Sequence, residues 1–420
     1  MPSDSRLPAA LRAFRHRDFR LFFSGQLISL VGTWMQSVAQ SWLVLELTNS
    51  PFRLGLVSAL QFAPMLVLSF FAGALADRLR KRRLVLTSQS VLFAQALALA
   101  LLVHLGHVQY WHVAVLALVY GIANTVDMPT RQAFIVEMVG RDDLMNAIAL
   151  NSAMFNAARV VGPALAGIAI ARWGTAVAFY LNAASFVPVI IALVAIRAEG
   201  KPRRASGRSM ADEIREGVRF ALRTPRVTLT MAMVLAVSGF LFNYNVLIPL
   251  YVRDVLGQGA QAFGLIMATL GIGAVTGAVM LAVLGRERPP VAALATPALV
   301  QAASTAALAA VHREALAVPL LFVMGFCGIL FMASANSTVQ LTVPDELRGR
   351  VMSLHTLMFA GITPFGAFLM GSIAQAGGVK AALLVSGGGG VISIVALLVW
   401  WIARNRGPSL ATPSPEGGPA

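Results

Sequence analysis

Apolar runs long enough to cross a membrane recur along almost the whole chain. Twelve of them alternate with short polar turns, at residues 19–46, 52–76, 84–105, 109–130, 144–171 and 175–197, and then at 227–255, 261–284, 290–311, 316–341, 350–375 and 380–403. A hydrocarbon core about 30 Å thick is crossed by about 20 helical residues. The pattern therefore predicts an all-α integral membrane protein with twelve transmembrane helices.

Composition agrees with this interpretation. The 420 residues are 57% hydrophobic and 12% charged, and the mean hydropathy is +0.74. Such a chain has too little polar surface to cover a soluble globule. The net charge of +15 indicates contact with the anionic leaflet of the bilayer rather than with nucleic acid, because the basic residues lie in short turns between apolar runs.

The densest group of basic residues lies between the second and third apolar runs, in Arg78 and residues 80–83. Loops rich in Lys and Arg remain in the cytoplasm, so this turn orients every other span. Most of the other Lys and Arg residues fall in turns on the same side. Both termini are therefore predicted to be cytoplasmic.

A polar, basic stretch after the sixth run divides the chain. We predict a cytoplasmic arm, a first bundle, a linker, a second bundle and a disordered tail, at residues 1–18, 19–197, 198–226, 227–405 and 406–420. In the linker, Met210, Ile214, Val218 and Ala221 recur at helical spacing, which predicts an amphipathic helix lying on the membrane.

The two bundles carry a weak internal repeat. Residues 54–56 correspond to residues 263–265, residues 142–144 to residues 345–347, and Pro163 to Pro364. The three pairs occur in the same order and at the same places relative to the spans. They predict two pseudo-symmetric six-helix bundles.

Catalytic and metal-binding patterns are missing from the sequence. Three of the six His residues cluster around the turn after the third run, without a paired carboxylate or Cys. No Gly-rich loop with Lys and Ser or Thr is present to bind a nucleotide. The single Cys327 cannot form an intramolecular disulfide. We therefore predict a protein that is not an enzyme and uses no metal or cofactor.

Polar residues inside the spans are the functional candidates, because an unpaired polar group is costly in hydrocarbon. Gln36 and Gln40 lie one turn apart on one face of the first span. This face either lines a wet, substrate-binding cavity or makes hydrogen bonds between helices. Asn156 and Asn243 are further candidates for substrate binding.

Arg159 is a basic residue inside a span. Counted from Asp142 and Asp143 as the helix cap, it lies about 22 Å into the membrane at ~1.5 Å per residue. Its guanidinium needs a partner, which is a carboxylate or carbonyl of another span or an anionic substrate.

Charged residues near the two ends of the spans are candidates for gating and proton coupling. Asp127 and Arg131 are four residues apart and can pair along one helix face, close to the turn that carries Asp77 and Arg78. Such a pair either latches the halves together or is a static ion pair. Glu46 lies toward the opposite end, and no carboxylate lies at mid-depth.

Several segments resemble one family of transporters. Gly73, Asp77, Arg78 and the basic residues 81–83 resemble the signature of the major facilitator superfamily between helices 2 and 3, although Arg80 stands where that family usually has Gly. Gly162, Pro163 and Gly167 resemble its span-five antiporter motif. Five further segments are similar to the branch of enterobactin exporters, transmembrane secretion effectors and macrolide efflux proteins, at residues 129–134, 143–152, 159–167, 213–217 and 344–353.

This resemblance implies the major facilitator fold and a bacterial inner-membrane exporter of siderophore-like or drug-like small molecules. The expected mechanism is alternating access coupled to proton antiport, with the proton gradient as energy source and a monomer as the working unit. The expected conformational residues are Gly73, Gly162, Pro163, Gly167 and Pro364. Two other functions use the same fold and stay open here: a lipid translocator, and a membrane scaffold or receptor that transports nothing.

Overall fold

The structure, a computed structural model, describes residues 9–200, 210–284 and 289–405, and the regular elements in these ranges are helices. A short 3-10 helix, Ala9–Arg15, comes first. The first half then contains α1 (Arg17–Thr48), α2 (Pro51–Arg78), α3 (Lys81–His104), α4 (Tyr110–Val139), α5 (Leu144–Trp173) and α6 (Thr175–Ala195). The second half contains α7 (Met210–Arg223), α8 (Pro225–Phe240), α9 (Tyr244–Leu250), α10 (Ala260–Leu284), α11 (Val291–Ala307), α12 (Glu314–Thr342) and α13 (Asp345–Asn405).

Helix α13 contains two spans. Its path breaks at Gly378, whose φ of 78° and ψ of 171° are not helical. Before the break, Gly366 contacts Gly239 of α8, and after the break the Ser386 hydroxyl donates a hydrogen bond to the Phe240 carbonyl. The chain thus passes α8 twice, in opposite directions. Helices α8 and α9 together form one span, which is broken at residues 241–243.

Ten helices in the described part of the chain are long and apolar enough to cross a membrane. One of them is α13 with its two spans, and α1 is a further long helix outside the ten. The predicted set of twelve spans is therefore confirmed. Helix α1 is less apolar because it carries Gln26, Gln36 and Gln40, and these side chains are buried among neighbouring helices rather than exposed to lipid.

The helices pack as two bundles. In the first half α1 packs against α5 and α6, α2 against α4, and α3 against α4 and α6. In the second half α10 packs against α12, α11 against α12 and α13, and α8 against α13. The halves meet mainly through two helix pairs, α2 with α13 and α5 with α10, which is the arrangement that a pseudo-symmetric repeat predicts.

We call the end of the bundles where α1 begins and α13 ends the basic face, and the opposite end the far face.

Glycine residues allow the halves to touch through their backbones. Toward the far face, Gly55 lies against Gly371 and Gly264 lies against Gly167. A Cβ atom added to Gly264 would lie 2.5 Å from the Pro163 carbonyl oxygen, so no side chain fits there. Gly55 and Gly264 are equivalent positions of the sequence repeat.

Side-chain contacts also join the halves near the far face. The Ser50 hydroxyl donates to Gln375 Oε1 at 2.8 Å. The rings of Trp42 and Phe263 stack with their centroids 6.0 Å apart. Together with the glycine contacts, these pairs bring the halves together at the far face.

At the basic face, the predicted turn between the second and third spans is short. Helix α2 continues to Arg78, and α3 begins at Lys81. The Lys81 amide donates to the Gly200 carbonyl at 3.0 Å, and Arg82 Nε donates to the Leu193 carbonyl at 2.6 Å. The turn thus binds the end of α6 and the first residues of the linker.

Two contacts at the basic face were not predicted from the sequence. In the linker helix α7, which occupies Met210–Arg223 inside the predicted linker, Ala221 is buried in a cluster with Val227, Val339 and Val351 of the second half. Asp143 stands at the N-cap position of α5 but makes no capping hydrogen bond. Its carboxylate instead binds Arg15 and His16 of the preceding arm, at 2.6 and 2.8 Å.

Candidate functional site

Arg159 lies in the middle of α5, whose 30 residues run from Leu144 to Trp173. Its guanidinium is over the indole ring of Trp34 of α1, 5.9 Å from the ring centroid. The Trp34 and Phe155 rings make a T-shaped contact, with a centroid separation of 5.7 Å. Gly162 makes this arrangement possible, because a Cβ atom there would lie 2.5 Å from Trp34 Cβ.

The second half contributes Tyr244 to the same place. Tyr244 is the first residue of α9, directly after the break in its span, and it lies close enough to Arg159 for the two groups to interact electrostatically. Its hydroxyl accepts a hydrogen bond of 2.7 Å from Gln301 Nε2 of α11. Arg159 therefore lies where the two halves meet, at mid-depth.

No carboxylate pairs with Arg159 among the residues that the structure describes. Arg159 is partly buried, and a cation that is withdrawn from water without an anionic partner is costly. The sequence left a carboxylate of another span as one possible partner of Arg159. The described residues give no support for that partner. The arrangement can bind an anion that enters between the halves.

The two glutamines of α1 have partners inside the first half. Gln36 Nε2 donates to Gln95 Oε1 at 3.0 Å, and Gln36 Oε1 accepts from Asn182 Nδ2. Gln40 Nε2 donates to Gln61 Oε1 of α2 at 2.9 Å. For Gln36 this favours the alternative of hydrogen bonding between helices, since both ends of its amide are engaged.

The two asparagines also lie in the spans, with different surroundings. Asn156 Nδ2 donates to the Ser152 carbonyl of its own helix at 2.9 Å. Asn243 lies at the break between α8 and α9, where its Nδ2 donates to the Gly239 carbonyl at 2.8 Å. Its Oδ1 is buried and has no hydrogen-bond partner. Both residues stay candidates for substrate binding.

Asp127 and Arg131 form a buried polar cluster within the first half. Arg131 Nε lies 3.8 Å from Asp127 Oδ2, as their spacing predicts. Asp127 Oδ1 accepts from Ser88 Oγ at 2.8 Å and from Gln89 Nε2 at 3.0 Å. These partners belong to α3 and α4, so the described contacts of the pair do not cross to the second half. The role of a latch stays a prediction.

The remaining candidates lie nearer the two faces or between the halves. Glu46 accepts hydrogen bonds from Trp42 and Thr175. Arg78 is exposed on the basic face, whereas the side chain of Asp77 and the surroundings of Gly73 lie outside the described residues. Pro163 and Gly167 line the contact between α5 and α10, and Pro364 is buried in α13.

Sequence reasoning missed Trp34, Tyr244 and Gln301 as parts of the site. Gln301 is an amide in an otherwise apolar span, and the same signal had identified the glutamines of α1. Trp34 and Tyr244 carry no such signal, because aromatic residues are common in the apolar packing of any helix. Only their contacts with Arg159 distinguish them.

Comparison with known proteins identifies related chains. The family described as "transmembrane secretion effector" matches residues 8–412. The multidrug efflux pump Tap of Mycolicibacterium fortuitum is 29% identical over 84% of this chain and 88% of its own length. The staphyloferrin A transporter of Staphylococcus aureus is 25% identical over 86% and 90%, and the enterobactin exporter EntS of Shigella boydii is 24% identical over 85% of each chain.

Solved structures share the fold. A POT family transporter in complex with a thioalcohol-conjugated peptide superposes with a TM-score of 0.74 at 11% identity, over 92% of this chain and 96% of the other. The nucleoside transporter NupG superposes with a TM-score of 0.72 at 13% identity, over 91% and 98%. At these identities the likeness concerns the fold alone.

Proposed function

Because the chain belongs to the transmembrane secretion effector family of the major facilitator superfamily, whose members are multi-pass membrane transporters and not enzymes, we propose that it exports a small molecule. The relatives named above include a multidrug efflux pump and siderophore transporters. The proposed cargo is of the siderophore or drug type. The proposed location is the bacterial inner membrane, with both termini in the cytoplasm.

The observation that carries this proposal is the position of Arg159. A guanidinium at mid-depth, between the halves and without a described carboxylate partner, is suited to hold a cargo molecule rather than to join two helices. Trp34 on one side and Tyr244 on the other supply aromatic surface. These groups come from α5, α1 and α9, so a cargo bound there touches both halves.

Alternating access is the proposed mechanism. The halves touch at the far face through Gly55, Gly167, Gly264 and Gly371, and these pairs involve backbone rather than interlocking side chains. Contacts of this kind can separate when the halves rock about a site at mid-depth. Closure at the far face would leave the site reachable from the basic face, which is the proposed cytoplasmic side.

Proton antiport is the proposed energy source. Asp127 is a carboxylate inside the first bundle, where Ser88 and Gln89 donate hydrogen bonds to it. Glu46 is a second carboxylate, nearer the far face. An inward proton path through these groups, opposite to the movement of the cargo, would not need a further cofactor. The bilayer, protons and the cargo are then the partners of a monomer.

Everted membrane vesicles test this function. In them an exporter loads its cargo into the lumen, so we expect labelled siderophores or antibiotics to accumulate when respiration acidifies the vesicle interior. Accumulation should stop when nigericin collapses the pH gradient. Accumulation that persists after collapse would remove proton coupling. Movement of fluorescent phospholipid in proteoliposomes, without uptake of any small molecule, would favour the lipid translocator.

A further inference from the structure

The Trp42 side chain of α1 contacts the second half at the far face. Its indole ring stacks on the Phe263 ring of α10, with the centroids 6.0 Å apart and the planes 25° from parallel. Both residues are buried, with 8% of Trp42 and 0% of Phe263 exposed. The next residue along α10, Gly264, makes the backbone contact with α5. The stack is therefore part of the contact that closes the far face.

Glu46 supplies the hydrogen-bond acceptor for this indole. Trp42 Nε1 donates to Glu46 Oε1 at 2.8 Å, one turn further along α1. The Thr175 hydroxyl, at the start of α6, donates to Glu46 Oε2 at 3.3 Å. A buried indole N–H usually has a partner. The carboxylate is thus held by α1 and α6 of the first half, and it holds the indole against the second half.

We propose that Glu46 is a positioning residue that keeps the far face closed, by accepting the Trp42 N–H while the indole stacks on Phe263. When the halves separate at the far face, water reaches the indole and can replace the carboxylate as acceptor. In the closed state the stacked indole is largely withdrawn from water. Loss of the acceptor therefore destabilises the closed state relative to the open state. This inference rests on the proposed alternating access and gives Glu46 a role that does not require it to carry a proton.

The carboxylate holds the indole through hydrogen bonding rather than through charge. Glu46 forms no ion pair with the residues that the structure describes, and its two described partners are an indole N–H and a hydroxyl. It is also exposed, so water screens its charge. Glutamine at this position keeps a carbonyl oxygen that can accept the same N–H. Leucine is similar in size and has no acceptor, so the two substitutions separate hydrogen bonding from charge.

Thiol labelling of the full-length purified protein measures how readily the far face opens. The parent protein carries Ser50→Cys and Cys327→Ser, and the reagent is a water-soluble maleimide. We expect Glu46→Leu to raise the labelling rate about three- to tenfold, which is the usual range for one hydrogen bond. Glu46→Gln should react at the rate of the parent. Glu314→Leu is the matched control and should also leave the rate unchanged, because Glu314 is another exposed carboxylate at the far face, at the start of α12.

Trp42→Phe shows whether Glu46 acts through the indole. Phenylalanine keeps an aromatic ring against Phe263 but has no N–H, so the carboxylate has no indole to hold. In this background Glu46→Leu should add nothing to the labelling rate, whereas two independent effects would multiply. We expect Glu46→Leu and Glu46→Gln to have the same melting temperature, which excludes a general loss of packing as the cause of faster labelling.

The outcomes separate this inference from the proposed function. An unchanged rate in Glu46→Leu, or equally fast labelling of Glu46→Gln and Glu46→Leu, overturns the positioning role. So does a full effect of Glu46→Leu in the Trp42→Phe background. Any of these results leaves export intact if everted vesicles still accumulate cargo. The expected labelling pattern, found in a protein that transports nothing in vesicles, supports the positioning role and rejects export.

Discussion

At the scale of single residues, Arg159 and Gln36 have different surroundings although both are polar residues inside a span. Gln36 has partners on both ends of its amide, on α3 and α6. Arg159 lies beside Trp34 of α1 and near Tyr244 of the second half. No carboxylate among the described residues pairs with it. Substitutions should therefore affect stability at one position and cargo binding at the other.

We expect Arg159→Ala to weaken cargo binding about ten- to hundredfold, because hydrogen bonds to a charged group contribute about 1.5–3 kcal/mol. The affinity of Arg159→Lys for cargo should lie between those of Arg159→Ala and the wild type, because lysine keeps the charge but loses the planar donor fork. The free energy of unfolding should change by no more than about 2 kcal/mol, the worth of a desolvated cation–π contact. Equilibrium binding measures the affinity for cargo, and thermal unfolding in detergent measures the change in stability. A large drop in melting temperature with retained affinity would show that Arg159 is structural.

For Gln36→Leu we expect the reverse. The substitution leaves Gln95 Oε1 and Asn182 Nδ2 without their partner in a buried site, which costs about 1–3 kcal/mol. Thermal unfolding should show the loss, and the affinity of the surviving protein for cargo should match the wild type. An unchanged melting temperature together with weakened binding would place Gln36 in the cargo site instead.

At the scale of helices, backbone contacts and the docked arm decide how the elements pack. A Cβ atom at Gly264 would lie 2.5 Å from the Pro163 carbonyl, and its neighbour there is backbone rather than a flexible side chain. Helix α5 or α10 must then shift. The same substitution at Gly388 meets open space.

We expect Gly264→Ala to separate the halves at the far face. In a Cys327→Ser background, a cysteine placed at Ser50 should react faster with a membrane-impermeant thiol reagent when Gly264→Ala is present. Gly388→Ala should leave this labelling rate unchanged. Equal rates in all three proteins would show that the glycine contact does not hold the far face closed.

The arm is predicted to dock in a pH-dependent way through Asp143. The hydrogen bond from His16, together with the charge of the nearby Arg15, lowers the pKa of the Asp143 carboxyl. A lowered pKa in the folded state means that the stabilisation is present above the ordinary pKa of Asp, near pH 4, and is lost as pH falls through the lowered value. We expect Asp143→Asn to reduce the melting temperature at neutral pH and to match the wild type in strong acid. A difference that persists in acid would contradict this origin.

At the scale of the whole molecule, the far-face contacts and the mid-depth site together suggest two halves that rock about the cargo. The Ser50 hydroxyl and Gln375 Oε1, 2.8 Å apart, belong to different halves. A covalent bridge at this point would prevent the far face from opening. It would leave each bundle intact.

We expect the double variant Ser50→Cys and Gln375→Cys, made in the Cys327→Ser background, to lose transport after treatment with a short thiol cross-linker. A reducing agent that cleaves the linker should restore it. The two single variants, treated in the same way, should keep transporting. Full transport by the cross-linked protein would contradict alternating access through the far face.

The sequence by itself determined the twelve spans and the position of Arg159 in the middle of its span. These properties follow from hydropathy and helix length, which are local and additive along the chain. The repeat also predicted equivalent positions in the two halves, and Gly55 and Gly264 occupy equivalent contacts. The family resemblance rested on segments that lie mainly near helix ends, together with residues 159–167 in the middle of α5.

Only the tertiary structure decided which polar residues of the spans pair with each other and which have no polar partner among the described residues. Gln36 could have faced a cavity, and its hydrogen bonds to Gln95 and Asn182 cannot be deduced from the spacing on α1. Tyr244 on α9 bonds to Gln301 on α11 and interacts electrostatically with Arg159 on α5, although the three residues are far apart in the sequence. Contacts between distant segments depend on how helices rotate and cross, and a hydropathy pattern contains no information about either.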